Sequence, residues 1–364
     1  MPPTPAPNPI TQSCRTGEAL ATEQLAAYLI HTLAGNPQLL HVQQFTGGYS
    51  NLTYRIDLTD RSLVLRRPPF GPRSPRAHDM VREYGVLKAL QSVFAKAPSP
   101  ILLCEDEAIL GAPFYLMELV EGPILRQRAD GESSVPAPKQ LAFASQALIA
   151  TLAQLHALDL TPTLAALGRP EGYVQRQVEG WISRFERART PDVAAPHSVV
   201  EYLTGPELRA ATTREGATAL IHNDYKFDNL IFEDEHFQHV RAVLDWEMTT
   251  VGDRWLDLGL SLAYWAHADE VKEMPFLGMN LTHLPGCYRR GELLTAYANE
   301  AKIEVPEMTY YYVFGNFKIA GIVQQLYARY VAGHTQDPRF SQLGKVVNYL
   351  LLRAERALVN GTIE

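Results

Sequence analysis

Residues 221 to 232 read IHNDYKFDNLIF, and within them His222, Asp224 and Asn229 stand at the spacing H-x-D-x-x-x-x-N. Sixteen residues after Asn229, a short strand-like run ends in VLDWE with Asp245. A loop therefore carries one carboxylate and one amide, and the strand after it delivers a second carboxylate. Upstream, KQLAFASQALIATLAQLHAL (139–158) places Leu141, Leu148, Leu152 and Leu155 on one apolar helical face. Downstream, the run from Met308 to Val331 is aromatic, apolar and poor in charge, which predicts a buried core helix. The chain around the loop is otherwise expected to be mostly helical.

The N-terminal third has a different pattern. HVQQFTGGYSNLTYRIDL leads through Thr59-Asp60 into SLVLRRP, with period-two alternation in YRI and around Leu63 and Leu65. Further strands are expected at ILLCE and FYLMELV, and a helix over about 79–92 with Val81, Tyr84, Leu87 and Leu90 at helical spacing. An earlier helix is expected from near Glu18 to Leu33, stopped by Gly35-Asn36-Pro37. The proline-rich MPPTPAPNPITQSC lacks a basic n-region and an apolar h-region, so residues 1–17 are expected to form a disordered leader rather than a signal peptide. DGESSVPAPK (130–139) is the best linker candidate. This order predicts an α+β chain with two lobes. Residues 18–121 would form a small antiparallel-sheet N-terminal lobe, and residues 122–364 a larger, mainly helical C-terminal lobe.

Composition is that of a globular protein, with 46% hydrophobic and 20% charged residues in 364. The net charge of −7 argues against a broad basic surface for nucleic acid. Six of those negative charges fall in residues 122–364, which suits either a cationic substrate or a solvated acidic surface. Three widely spaced cysteines, Cys14, Cys104 and Cys287, form no CxxC pair, so neither a disulfide framework nor a zinc site is expected. No run of 18 uncharged apolar residues suggests a membrane span. Cytoplasm is the default expectation, and a homodimer is compatible with the sequence.

The residue set of the loop fits phosphoryl transfer. That chemistry asks the protein for an oriented hydroxyl, counter-charge for phosphates, and oxygen ligands for Mg²⁺. Asp224 is expected to accept the proton of the attacking hydroxyl or to orient it, while Asn229 and Asp245 would ligate the metal. Taken singly, each has an ordinary structural reading as a turn cap or strand end; their order carries the argument. His222 is expected to hold the loop by packing and hydrogen bonding. In FTGGYSNLTYRI, Gly47, Gly48, Ser50 and Asn51 fall at a turn where backbone N–H groups can approach phosphates, although a plain hairpin reads the same way. Arg66 lies on a strand and Glu83 seventeen residues later on the next helix, a pair able to steady phosphates. Arg67 competes with Arg66: alternation puts Leu63, Leu65 and Arg67 on one side and Val64 and Arg66 on the other, which does not decide between them.

QFTGGYSNLTYRI, LVLRRPP, VREYGVLKAL, FYLMELVEG, LAQLHALD, LIHNDYKFDNLIF, VLDWE and GDRWLDLG together resemble the aminoglycoside phosphotransferase family. In particular they are similar to its phosphotransferase-like domains related to acyl-CoA dehydrogenase family members 10 and 11. The resemblance spans residues 43–259 and extends to YYYVFGNFKIAG. It implies a protein-kinase-like fold and ATP with Mg²⁺ as cofactors. It also implies Arg66 as the nucleotide-binding cation with Glu83 as its partner, and backbone groups of Glu118 and Val120 as the adenine-binding segment. Asp224 would be the catalytic aspartate, with Lys226 steadying the transferred group, and Asp257 would buttress the loop. The pattern departs in two places. Asn223 stands where the family often has glycine, and asparagine enters left-handed conformations readily. An arginine also replaces the lysine usual in protein kinases, and its fork can still grip phosphate.

The function expected is ATP- and Mg-dependent transfer of a phosphoryl group to a hydroxyl of a small molecule, which would be the chain's principal partner. A hydroxyacyl-CoA or hydroxy acid is favoured by the resemblance. A coenzyme A thioester would want a basic rim, to which arginines 66, 67, 73, 76 and 82 would contribute. An aminoglycoside or amino-alcohol acceptor, and a non-catalytic nucleotide-binding regulatory module, are the alternatives.

Overall fold

The computed structural model describes residues 11–46, 51–71, 79–126, 135–334 and 338–364. The chain divides into two compact units, Met1–Glu121 and Gly122–Glu364.

Among its described residues the first unit has six strands: β1 (Thr11–Gln12), β2 (Leu39–Phe45), β3 (Leu52–Leu58), β4 (Ser62–Arg67), β5 (Pro100–Cys104) and β6 (Phe114–Glu118). They form one antiparallel sheet in the order β1-β2-β3-β4-β6-β5. Helix α1 (Thr22–Thr32) precedes β2, α2 (Met80–Leu90) follows β4, and the single turn α3 (Glu107–Leu110) links β5 to β6. Period-two alternation sends Tyr54, Ile56 and Leu58 of β3, Leu63 and Leu65 of β4, and Phe114 and Leu116 of β6 into one core with Leu25 and Leu29 of α1. The alternate residues of β4 belong to the other face, where Tyr84 of α2 meets Tyr115 of β6 edge-on.

Two expectations are corrected here. Thr11 and Gln12, within the expected disordered leader, pair with Phe45 and Gln44. The segment is held because Gln44 accepts from the Arg15 N–H at 2.9 Å and the Tyr54 hydroxyl donates to the Glu18 carbonyl at 2.7 Å. Val81, expected on the apolar face of α2, is 41% exposed. The buried stripe is instead Met80, Glu83, Val86, Leu87 and Leu90, so the helix turns a carboxylate inward and leaves a valine outside.

The second unit is mainly helical. Its elements run α4 (Pro138–His156), α5 (Pro162–Ala165), α6 (Tyr173–Ala188), α7 (His197–Thr204), α8 (Pro206–Thr212), then strands β7 (Thr218–Ile221), β8 (Leu230–Phe232), β9 (Val240–Val243) and β10 (Thr250–Asp253). They continue with α9 (Arg254–Tyr264), α10 (Ala268–Glu273), α11 (Arg290–Ala301), α12 (Thr309–Val331) and α13 (Leu343–Asn360). Helix α4 begins on Pro138, whose missing N–H costs nothing in a first turn. Helix α12 is buried on nearly every side from Thr309 to Gly321 and is the centre of the unit. No helix among the described residues is long and apolar enough to cross a membrane.

Helices α9 and α12 touch backbone to backbone. A Cβ on Gly259 would lie 2.5 Å from the Tyr311 carbonyl carbon and oxygen, and one on Gly315 would lie 2.7 Å from the Gly259 oxygen. Backbone cannot yield as a flexible side chain can, so Gly259→Val is expected to cost ~1–3 kcal/mol or more. That would lower the melting temperature by several degrees, measured by calorimetry. An unchanged melting temperature would contradict so close a crossing.

Candidate active site

In the second unit, two ladders fix the loops that carry the predicted residues. β7 pairs antiparallel with β10, Ile221 opposite Thr250, and β8 pairs with β9, Leu230 opposite Val243. Loop 222–229 leaves β7 and enters β8; loop 244–249 leaves β9 and enters β10. The two are stitched directly together. The Leu244 N–H donates to the Asn229 carbonyl at 2.8 Å, and the Leu244 carbonyl accepts from His222 Nε2 at 2.9 Å. Asp245 is the next residue, in left-handed backbone with φ +67°. Asp245 thus follows directly on the backbone bond that joins Leu244 to Asn229.

His222 is fully buried, with its Nδ1 accepting from the Asp224 N–H at 3.3 Å. Both ring nitrogens are used in holding the loop, Nε2 as donor and Nδ1 as acceptor. Asn223 has φ +67°, the left-handed conformation that its departure from glycine requires. Asp257, in the first turn of α9 and fully buried, accepts from the N–H groups of His222 (2.8 Å) and Asn223 (2.7 Å). His156 Nε2, at the end of α4, lies 3.1 Å from the same carboxylate, and its Nδ1 lies 2.8 Å from the Tyr297 hydroxyl. Burial works against charge on Asp257, but the bond from His156 and the loop N–H groups outweigh it and hold the carboxyl below its ordinary range. Burial pushes His156 down, which keeps the imidazole neutral.

Asp224 is the focus of the loop. Lys226 Nζ lies 2.8 Å from each of its carboxylate oxygens. Asn229 Nδ2 donates to Asp224 Oδ2 at 2.9 Å and to its backbone carbonyl at 2.8 Å. Burial opposes ionisation of Asp224, yet Lys226 keeps its pKa below the usual carboxylate range. Burial likewise opposes the Lys226 ammonium, and Asp224 more than compensates, so the lysine stays protonated. Lys226 also stands 4.7 Å from the centre of the Tyr264 ring.

A cation held by Asn229 and Asp245 fits what is present. Asn229 commits its amide nitrogen to Asp224, which turns the amide oxygen away from that carboxylate. Among the described residues, no three or more His, Cys, Asp or Glu side chains converge as a metal cage. Two protein oxygens suit Mg²⁺, whose other ligands are water and phosphate.

In the first unit, Arg66 Nε lies 3.2 Å from Glu83 Oε1, with both side chains buried. The guanidinium carbon of Arg67, from the opposite face of β4, lies 3.5 Å from the centre of the Phe70 ring. The ambiguity left by alternation is thus resolved by α2, which brings Glu83 to the Arg66 face. Asn51 directs its amide nitrogen to Glu83 Oε2 at 3.5 Å. The Glu118 N–H donates to the Ser99 carbonyl at 2.9 Å. Val120 follows at the end of the unit. Gly47, Gly48 and Ser50 lie outside the described residues, as do Arg73 and Arg76. Arg66 and Arg67 are 8% and 2% exposed, so neither supplies the basic rim that a coenzyme A thioester would want.

Sequence reasoning gave no role to His156, Tyr173 or Lys318. His156 sits in the quoted LAQLHALD. Lys318 is the one Asp, Glu, Lys or Arg between Glu307 and Arg329, a signal that was legible. Lys318 Nζ reaches Asn223 Oδ1 at 3.1 Å, and Asn223 Nδ2 donates to the Tyr173 hydroxyl at 3.2 Å.

Comparison with known proteins shows the family. Residues 41–283 match the model of the APH family, described as a phosphotransferase enzyme family. Mouse acyl-CoA dehydrogenase family member 10 is 33% identical over 346 residues, covering 93% of this chain, which spans only 31% of that relative's length. A crystal structure from Ralstonia eutropha JMP134, described as a candidate aminoglycoside phosphotransferase, has a TM-score of 0.73 at 27% identity and covers 93% of this chain and 99% of its own. Spectinomycin phosphotransferase, solved with ADP and spectinomycin, has a TM-score of 0.58 at 13% identity over 92% of this chain and 98% of its own, a likeness of fold. The antiparallel sheet, the mainly helical second unit and the family match make this a protein-kinase-like chain that belongs to the APH phosphotransferase family.

Proposed function

We propose that the chain transfers the γ-phosphoryl group of ATP to a hydroxyl of a small molecule. The observation that carries this reading is Asp224, kept ionised by Lys226 and bonded by Asn229, whose carbonyl accepts from the residue before Asp245. In the step, the acceptor oxygen forms a bond to the γ-phosphorus and its proton passes to an Asp224 oxygen. The bond from that phosphorus to the β–γ bridging oxygen breaks, and ADP leaves with the electron pair. Lys226, already neutralising Asp224, is the cation available to the transferred group. Asn229 and Asp245 would hold Mg²⁺, which when bound supplies counter-charge to the phosphates. Arg66, oriented by Glu83, would steady the nucleotide phosphates, and the backbone of Glu118 and Val120 would read adenine.

Two further expectations follow from the Arg66–Glu83 pair. Arg66→Met should raise KM for ATP roughly 10- to 100-fold, the scale of losing a charged hydrogen bond. Glu83→Gln, which keeps the shape and loses the charge, should raise it less. Steady-state kinetics with varied MgATP checks both, and an unchanged KM in Arg66→Met would remove the arginine from the nucleotide site.

The acceptor is proposed as a hydroxyacyl-CoA or hydroxy acid, on the kinship with the acyl-CoA dehydrogenase family relative. Arg66 and Arg67 are buried, so a coenzyme A ester would draw its basic rim from other residues of the set 66, 67, 73, 76 and 82, of which Arg82 is exposed. An amino alcohol or aminoglycoside is the second reading, the aminoglycoside favoured by the 27%-identical structure from Ralstonia eutropha JMP134. The test is acceptor-stimulated ADP release, measured with hydroxyacyl-CoAs, hydroxy acids and amino alcohols in separate reactions. Stimulation by the hydroxy acids alone supports the proposal; stimulation by amino alcohols alone overturns the acceptor class and leaves the phosphotransfer.

A further inference from the structure

We infer that Lys318, on the central helix α12, is a positioning residue that clamps the catalytic loop through the left-handed Asn223. The inference rests on the phosphotransfer reading for its kinetic consequences, but its structural consequence can be tested without it.

A buried cation in the middle of an apolar helix needs a reason, because desolvation disfavours it unless it is paired or hydrogen-bonded. Lys318 is 2% exposed, and its Nζ donates to Asn223 Oδ1 at 3.1 Å and to the Asn223 carbonyl at 3.4 Å. It also stands 5.9 Å from the centre of the Trp181 ring of α6. Asn223 is held on its remaining sides. Its Nδ2 donates to the Tyr173 hydroxyl at 3.2 Å and to the Met248 carbonyl at 3.0 Å, and its backbone N–H donates to Asp257. Met248 lies three residues after Asp245. One asparagine side chain therefore ties loop 222–229 to loop 244–249, and Lys318 fixes the orientation of that side chain's oxygen. A glycine at 223 could take the same backbone conformation without any clamp. The asparagine adds a handle, and Lys318 holds it.

The charged groups around Lys318 come from three elements: Asp257 of α9, Asp224 of the loop, and Arg184 of α6. Burial, with a smaller contribution from Arg184, lowers the lysine to about 8 against the opposing pull of Asp257 and Asp224. In the folded chain the proton is lost near pH 8 and in the unfolded chain near 10.5, so the unfolded state binds more protons between those values. Stability from this group therefore rises with pH through that window, and below it the full cost of burying the ammonium applies. The clamp follows the opposite course, since a neutral amine is the weaker donor. Lys318 thus orders the loop best where it stabilises the fold least, which separates positioning from a merely structural role.

The test compares full-length wild type, Lys318→Met, Asn223→Gly and the double variant. Hydrogen–deuterium exchange of the peptide covering 221–229 should be several-fold faster in Lys318→Met, with exchange in α4 unchanged. The melting temperature at pH 7 should be unchanged or higher. ADP formation from MgATP with water as acceptor should lose roughly 10- to 100-fold in kcat, with KM for ATP within about twofold. In the Asn223→Gly background the same lysine replacement should cost less than ~3-fold. Wild type alone supplies a check that needs no variant: after correction for intrinsic exchange, loop exchange should accelerate from pH 7 to 9, and Lys318→Met should not show that acceleration. Unchanged loop exchange in Lys318→Met, or an equal kinetic loss with and without Asn223, overturns the inference. If wild type forms no ADP with water alone, water is not an acceptor, and the exchange measurements still decide the clamp.

Discussion

Asp224→Asn should lower phosphoryl-transfer turnover by ~10²- to 10⁴-fold, the range for removal of a positioned general base, while MgATP binding changes little. The amide keeps the shape of the carboxylate, and its single oxygen, set at the Oδ2 position, can still accept from Lys226 and Asn229, while the contact of Lys226 with the other oxygen is lost. It cannot take a proton, and it no longer neutralises Lys226. The loop should therefore hold together while the chemistry stops. Measured turnover beside calorimetric MgATP affinity separates the two; near-full activity in this variant would remove Asp224 from the reaction. The same geometry predicts the pH course. Because Lys226 holds Asp224 below the ordinary carboxylate range against the effect of burial, its loss of activity on protonation should fall below that range. An acid limb near pH 6 would have to belong to another group, such as Asp228, which burial pushes up to about 6.

Asp245→Asn should have the second large effect and a different signature. Turnover should fall by at least ~10²-fold, the scale of losing one preorganised electrostatic stabiliser, and metal-dependent ATP affinity should fall with it. The residue sits in left-handed backbone directly after Leu244, whose two backbone bonds to Asn229 and His222 define the site. Asparagine tolerates that backbone, so the loop should survive and only the charge be lost. Titration of ATP binding against Mg²⁺ checks this. Loss of turnover with fully retained magnesium dependence would place the metal elsewhere.

Much of this was legible in the sequence because the relevant signals are local. H-x-D-x-x-x-x-N followed by VLDWE sets the order of the groups, and the alternation in YRIDL and SLVLRR sets the sheet. What could not be read depends on partners far away along the chain. Alternation does not separate Arg66 from Arg67; the family resemblance points to Arg66, and the physical reason lies in α2, which turns Glu83 rather than Val81 toward the sheet. The order at Thr11 and Gln12 comes from pairing with β2, which no reading of a proline-rich leader contains. The anchoring of Asn223 requires a lysine 95 residues later and a tyrosine 50 residues earlier. A lone lysine within an apolar helix signals a buried partner but does not name it.

The central claim is that this loop moves a γ-phosphoryl group, and the most direct measurement follows that group. Wild type and Asp224→Asn are incubated with Mg²⁺ and ATP carrying ¹⁸O at its γ-phosphoryl oxygens, together with the pooled hydroxy acids, hydroxyacyl-CoAs and amino alcohols. Products are read by mass spectrometry. A phosphorylated product bearing the label from wild type, absent with the variant, is the predicted result and names the acceptor. ATP binding that depends on Asn229 and Asp245, with no labelled product from any acceptor, would contradict the claim and make the chain a nucleotide-binding module.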